Sequence, residues 1–285
     1  MSRTALVFGG SGPIGAAVLA RMAAAGDWNV VAVSREARRD APGVRWLRGD
    51  LARCDGLPMA VDAIFSCGPL DHFARWYAQA GIDAPRVVAF GSTSATAKQA
   101  SPDAAERALA TRLRDAEAGL FAAAAARGAA ATVLRPTLVY GDGRDRTIAR
   151  IASLARRLGW FVVPRNATGL RQPVHVDDLA AAALAACDAP AAHGRAYDLP
   201  GGEALPWREM VARTLASLSP RPRLVRVPMP VFRVALAAAR LAGKAGGFGE
   251  GALARLREDL VFDDSAARTD FGYAPRPFKK GDGGS

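Results

Sequence analysis

Chemically reactive side chains are scarce in this 285-residue sequence: three cysteines, three histidines and four tyrosines, with lysine only at Lys98, Lys244, Lys279 and Lys280. Cys54, Cys67 and Cys187 are too scattered for a metal-ligand spacing or a disulfide framework, so neither is expected. No uninterrupted apolar run approaches the ~20 residues that cross a bilayer, and no transmembrane segment is expected. The first residues enter a strand instead of the charged, apolar and cleavage regions of a signal peptide, which makes a cytoplasmic location the expectation. No tyrosine is followed four residues later by a lysine.

Arginine and hydrophobic residues are plentiful. The net charge is +11, carried mostly by arginines spread along the chain and not clustered beside aromatics, so nucleic acid is not an expected partner. A basic surface would still attract anionic substrates or lipid headgroups. Half the residues are hydrophobic, enough for one large α/β domain or a domain with a small lobe.

The most informative segment is an apolar run, Thr4 to Phe8, followed by Gly9-Gly10-Ser11-Gly12-Pro13-Ile14-Gly15 and then an Ala-rich helical stretch closed by Gly26. Strand, glycine turn and helix together form a dinucleotide-binding signature. In it Gly9 permits the turn, Gly12 admits a pyrophosphate and Gly15 lets helix and strand approach. Helix N-terminal amides, with Ser11, Pro13 and Ile14 in the turn, would border the phosphates. The second strand ends in Ser34-Arg35, where an NAD site would carry an acidic residue. A hydroxyl and a guanidinium suit a 2′-phosphate, which favours NADP over NAD; a solvated loop arginine is the competing explanation.

Apolar runs at 4–8, 28–33, 44–48, 61–66, 86–91 and 131–135 alternate with helical stretches at 13–25, 70–80 and 103–127. The alternation predicts a Rossmann-type α/β fold, a doubly wound parallel sheet covered on both faces. Ligands would lie beyond the carboxyl ends of its strands. Later segments read as helix 144–158, strand 160–163, helix 177–187, strand 196–199, helices 206–218 and 230–242, and strand 224–227 between those two. The expected division is a dinucleotide-binding part over 1–165, a small C-terminal substrate lobe over 166–278 with segments returning to the core, and a disordered tail over 279–285. The stretch 231–242, apolar with Arg233 and Arg240, either packs over the cleft or is amphipathic and interfacial.

Several segments together carry a resemblance: the GGSGPIG loop, Gly49-Asp50-Leu51, Ser92-Thr93-Ser94, the run Leu134 to Gly141, Arg171-Gln172-Pro173-Val174-His175-Val176-Asp177-Asp178, and Asp270-Phe271-Gly272-Tyr273-Ala274-Pro275. The chain resembles the extended short-chain dehydrogenase/reductase superfamily, in its NAD(P)-dependent epimerase/dehydratase-like branch, as an atypical member. The resemblance implies that Asp50 and Leu51 meet the adenine and that Cys67, Gly68 and Pro69 line the central phosphate and ribose. It further implies that Pro136, Thr137 and Leu138 border the nicotinamide, that Arg171 reaches a substrate diphosphate, and that Asp177 caps the following helix. The family's catalytic Tyr-x-x-x-Lys pair is replaced: with Glu117 on the glutamate that commonly follows the pair, Leu109 and Leu113 occupy its positions. Neither can move a proton.

Other groups would have to serve. Ser92 and Thr93 would hydrogen-bond a substrate carbonyl, or else cap a turn. Lys98 would replace the missing lysine, or else stand solvated. His72 and Tyr77 lie in a polar run after the fourth strand and would meet substrate or supply the proton, or else belong to an ordinary surface helix. His175 and Tyr140 read as packed, structural residues. The expected activity is hydride transfer between NADP(H) and a carbonyl or hydroxyl of a small or nucleotide-linked substrate. The alternative is an NAD(P)H-binding structural, assembly or redox-sensing protein similar to the complex I accessory subunit. The oligomeric state stays open.

Overall fold

The computed structural model describes residues 2–143, 145, 147–241 and 255–278. The expected tail over 279–285 and the end of the helix expected to reach 242 lie outside these residues. In chain order the first half forms β1 (Arg3–Phe8), α1 (Pro13–Ala25), β2 (Trp28–Ser34), β3 (Val44–Arg48), β4 (Ala63–Ser66) and α2 (Leu70–Gln79). It continues with β5 (Arg86–Phe90), α3 (Ser94–Ala97), α4 (Ala104–Ala125) and β6 (Ala130–Pro136). The second half forms β7 (Val139–Tyr140), α5 (Ile148–Leu158), β8 (Trp160–Pro164), β9 (Leu170–Arg171), β10 (Val174–His175) and α6 (Val176–Asp188). Then follow β11 (Arg195–Leu199), β12 (Leu205–Pro206), α7 (Trp207–Ala216), β13 (Arg223–Val227), α8 (Met229–Leu241) and α9 (Ser265–Phe271).

Seven strands make one parallel sheet in the order β11-β6-β5-β4-β1-β2-β3. The inner strands are apolar on both faces because helices cover both: Ala5, Leu6 and Val7 of β1 are fully buried. One face packs on α1 and α6 through Val18, Met22, Leu179 and Ala183. The other packs on α2 and α4 through Phe73, Tyr77, Ala116 and Leu120. Strand order reverses on either side of β1, so the loops after β1 and β4 flank a topological switch point, where such sheets bind ligands.

A third core, built from Tyr140, Ile151, Ala155, Val163, Trp207, Met210, Leu215 and Leu236, holds the lobe together. It draws on α5 and β8 as well as on later segments, while α6 and β11 return to the main sheet. Two expected boundaries shift. The fourth strand begins at Ala63, because Asp62 is tied by Thr4 to the other end of β1. The cap of α6 is His175, whose Nδ1 accepts from the Asp177 amide at 3.2 Å, and not Asp177. The terminal segment is pinned by its own signature: the Tyr197 hydroxyl donates to Asp270 (2.6 Å) and the Tyr273 hydroxyl to the Pro200 carbonyl (2.7 Å).

Candidate functional site

The turn after β1 is shaped as a dinucleotide turn requires. Gly9 has φ +74°, and a Cβ there would meet the Cys67 and Gly68 backbone at about 3 Å. A Cβ on Gly15 would stand 2.2 Å from the Gly9 carbonyl oxygen, so only glycine fits where α1 crosses the loop. Gly12 differs. Its Cβ direction meets only the Gly9 oxygen, at 3.4 Å, and is otherwise open. The loop is braced from within, the Gly12 amide donating to the Gly9 carbonyl at 3.0 Å. The Gly12 side therefore leaves an open cradle at the N-terminus of a thirteen-residue helix, where first-turn amides lack partners within the helix. Ser11, Pro13 and Ile14 are half-buried around it. These residues fit a pyrophosphate.

The expected adenosine end lies at the carboxyl ends of β2 and β3. The Gly49 amide donates to the Ser34 carbonyl at 2.9 Å, bringing Ser34-Arg35 beside Gly49-Asp50-Leu51. Ser34 is buried and its hydroxyl accepts from the Glu36 amide, whereas Arg35 is exposed. The Asp50 Oδ1 accepts from the Ala52 and Arg53 amides (2.8 and 3.0 Å). These bonds hold its carboxyl below the usual range, with a smaller contribution from the Arg35 charge. Cys67, Gly68 and Pro69 follow β4 against the glycine turn. Burial pushes the Cys67 thiol up to about 12, so it acts as an apolar wall.

A cleft of about 360 Å³ opens beyond β4 and β5, between α2 and α4, within the range of small-ligand sites. Gly68, Pro69, Asp71, His72, Gly91, Leu109, Arg112 and Leu113 line it. Leu109 and Leu113, which the resemblance aligns with the Tyr–Lys positions, stand on this wall one helical turn apart and make it aliphatic. Glu117, a turn further along α4, is buried and paired in fork geometry with Arg135 of β6, whose Nε bond is 2.8 Å. Asp198 of β11 faces the same guanidinium at 3.7 Å, and burial raises its carboxyl. This acid–arginine–acid cluster beneath Gly91 escaped sequence reasoning. Its only signal was an arginine inside an otherwise apolar strand run.

The remaining expected residues divide. His72 is exposed at the cleft. Ser92 is half-buried at the end of β5, where its hydroxyl accepts from the Ser94 amide (3.2 Å). Thr93 is buried and its hydroxyl donates to the Pro136 carbonyl (3.3 Å), so it serves the backbone instead of substrate. The Thr137 hydroxyl donates to the Gln172 carbonyl, between buried Pro136 and half-buried Leu138. Lys98 is held by Glu106 at 3.4 Å. Burial alone would raise the Glu106 carboxyl, but hydrogen bonds from Arg255 and Ser101 and the charge of Lys98 outweigh it and hold it at about 2.

Two expectations need correction. Tyr77 does not reach the cleft: it is buried in the core two turns along α2, roughly 10 Å of helix rise from the cleft end, with Arg127 over its ring. Arg171 is not free to meet a diphosphate. Its guanidinium is buried and donates to the carbonyls of Leu170 (2.6 Å), Glu258 (2.8 Å) and Arg255, and burial lowers it to about 10.

Residues 73–199 match the NAD dependent epimerase/dehydratase family. The match covers somewhat less than half of the chain. The family segment runs from α2 to the end of β11 and so includes the cleft walls. A curated relative, 2-alkyl-3-oxoalkanoate reductase of Stenotrophomonas maltophilia (strain K279a), is 31% identical over 157 residues, covering 52% of this chain and 47% of the relative. Subunit 9 of the NADH dehydrogenase [ubiquinone] 1 alpha subcomplex, mitochondrial, of Arabidopsis thaliana is 31% identical over 111 residues, covering 39% and 27%. The matches thus span half or less of either relative. Among solved structures, UDP-glucuronic acid 4-epimerase from Bacillus cereus in complex with NAD superposes with TM-score 0.71 at 13% identity, covering 98% of this chain and 94% of that one. At that identity the likeness concerns the fold. No described helix is long and apolar enough to cross a membrane, and no group of His, Cys, Asp and Glu among the described residues could hold a metal ion.

Proposed function

We propose that this chain binds NADP(H) along the groove from Arg35 to Gly91 and acts on a carbonyl or hydroxyl of a small molecule held between α2 and α4. The observation that carries the reading is the glycine turn, closed at Gly9 and Gly15 and open only on the Gly12 side. Gly12 and the first-turn amides of α1 would hold the pyrophosphate, and Arg35 with Ser34 the 2′-phosphate. When bound, the cofactor supplies or accepts hydride. The chain's own residues do the rest. Ser92 orients the reacting oxygen from the end of β5, and Leu109 and Leu113 exclude water from one wall. His72, beside Asp71 at the cleft mouth, is the proposed proton carrier. The name of the curated relative, a 2-alkyl-3-oxoalkanoate reductase, is compatible with a small carbonyl substrate.

The second reading is NADP(H) binding without turnover, as a structural, assembly or redox-sensing protein. It is favoured by the aliphatic wall at Leu109 and Leu113 and by the engagement of Thr93 and Lys98 in internal contacts. One set of experiments separates the two. Titration calorimetry should show NADPH binding, abolished in Gly12→Val while the thermal melt is kept, because the branched side chain fills the open cradle. NADPH consumption is then followed with ketones, quinones and sugar nucleotides. Turnover that falls at least about tenfold in His72→Gln supports the enzyme. Tight NADPH binding with no turnover on any substrate supports the second reading.

A further inference from the structure

The cleft between α2 and α4 mixes aliphatic side chains with a single arginine. Leu70 and Phe90 line it from buried positions, and Leu109 and Leu113 line it from α4. Arg112 lines it too, and its place between the two leucines puts all three on one face of the helix. Across the cleft, Asp71 in the first turn of α2 stands 3.4 Å from the Arg112 Nε. That ion pair is loose. None of the Arg112 N–H groups is in a hydrogen bond among the described residues. The neighbouring cations are committed: Lys98 to Glu106, and Arg135 to Glu117 and Asp198. Arg112 is exposed at the cleft with its donors still open to a ligand.

A guanidinium with unused donors, set among aliphatic side chains, matches a ligand with an anionic group on an apolar frame. A carboxylate accepts two parallel N–H bonds from such a fork. Asp71, beside the Nε, opposes a second negative charge at the same place and so disfavours a phosphate dianion. A nucleoside diphosphate is disfavoured on two further grounds. Arg171 is committed to backbone carbonyls, and a cleft of about 360 Å³ is at the small end of ligand sites. We propose that the substrate is a small aliphatic carbonyl compound carrying a carboxylate, and that Arg112 binds this carboxylate. The proposal rests on the cleft being the substrate site. Arg112 is then a binding residue that sets substrate choice, and Ser92 and His72 keep the roles given above.

The test titrates the full chain, with and without NADPH, with hexanoate and with hexanamide, which share a frame and differ in charge. Ligand-observed NMR should show hexanoate binding at least about tenfold tighter, a preference weakened by salt. Arg112→Gln should abolish the preference, and Arg112→Lys, which keeps the charge without the fork, should retain part of it. Both variants should keep the parent melting curve, because an exposed ion pair adds little stability. In turnover, the ratio of kcat/KM for levulinate to that for methyl levulinate should fall about tenfold or more in Arg112→Gln. Equal binding of the two probes by the folded parent, or binding of neither, overturns the proposal. So does a preference that survives Arg112→Gln. UDP-glucose binding that exceeds hexanoate binding and falls in Arg112→Gln overturns it in favour of a nucleotide-linked substrate. A lower melting temperature in Arg112→Gln, with both probes bound alike by the parent, assigns the pair to holding α2 against α4. The two readings fail separately. Hexanoate preference without NADPH binding or turnover overturns only the oxidoreductase reading, and turnover of neutral ketones with no preference for the carboxylate overturns only this one.

Discussion

Arg35 stands exposed at the end of β2, close enough to Asp50 for its charge to lower that carboxyl. An arginine bound to a 2′-phosphate loses a strong, charge-assisted contact on truncation, whereas NAD(H) offers it only a hydroxyl. Arg35→Ala is therefore expected to weaken NADPH binding at least ~10-fold, about 1.4 kcal/mol, and to leave NADH binding unchanged. Calorimetry with both cofactors measures this, and equal losses would assign Arg35 a role other than reading the phosphate. The residues Ser34 and Arg35 were legible in sequence because they follow directly on an apolar run that must be a strand. The fate of the Thr93 and Thr137 hydroxyls was not. Their acceptors, the carbonyls of Pro136 and Gln172, lie 43 and 35 residues away and are brought near only by the sheet.

Helix α4 shows what an element adds to its residues. Leu109, Leu113, Glu117, Leu120 and Ala124 recur at helical spacing and face the sheet and cleft. Asp103 caps the helix by accepting from the Ala105 amide at 2.8 Å. Glu106, in the first turn, gathers Lys98 and Ser101 from the preceding loop and Arg255 from the terminal stretch. A carboxyl held at about 2 against an ordinary 4.5 favours the folded state. Its contribution is complete above pH 4.5 and disappears as the pH falls through 2. Glu106→Gln is thus expected to destabilise the protein by roughly 1–3 kcal/mol at pH 7. The gap to the parent should narrow as the pH falls from about 5 towards 2. Denaturant melts at several pH values read this, and a gap independent of pH would remove the charge from the account. The extent of α4 was legible to within two residues, the expected 103–127 against the observed Ala104–Ala125. The ion cluster was not, because Arg255 is 149 residues distant.

Across the whole molecule, Arg171 links the family segment to the terminal stretch. Its guanidinium holds carbonyls at Arg255 and Glu258, and Asp259 accepts from the Leu170 amide at 2.8 Å. Arg171→Ala would leave those carbonyls without the buried guanidinium that now donates to them and open a cavity beside Trp207. A loss of about 2–4 kcal/mol is expected, with NADPH affinity changed little because the glycine turn is remote from β9. Thermal melts with and without NADPH check both parts. The sequence alone determined the sheet, the glycine turn and the absence of any Tyr-x-x-x-Lys spacing. These depend on local alternation and fixed spacing, which a chain carries whatever its distant parts do. Tertiary structure decided that Tyr77 belongs to the core and Arg171 to the lobe. Burial and surface proximity depend on which distant segments meet, and no local period records that.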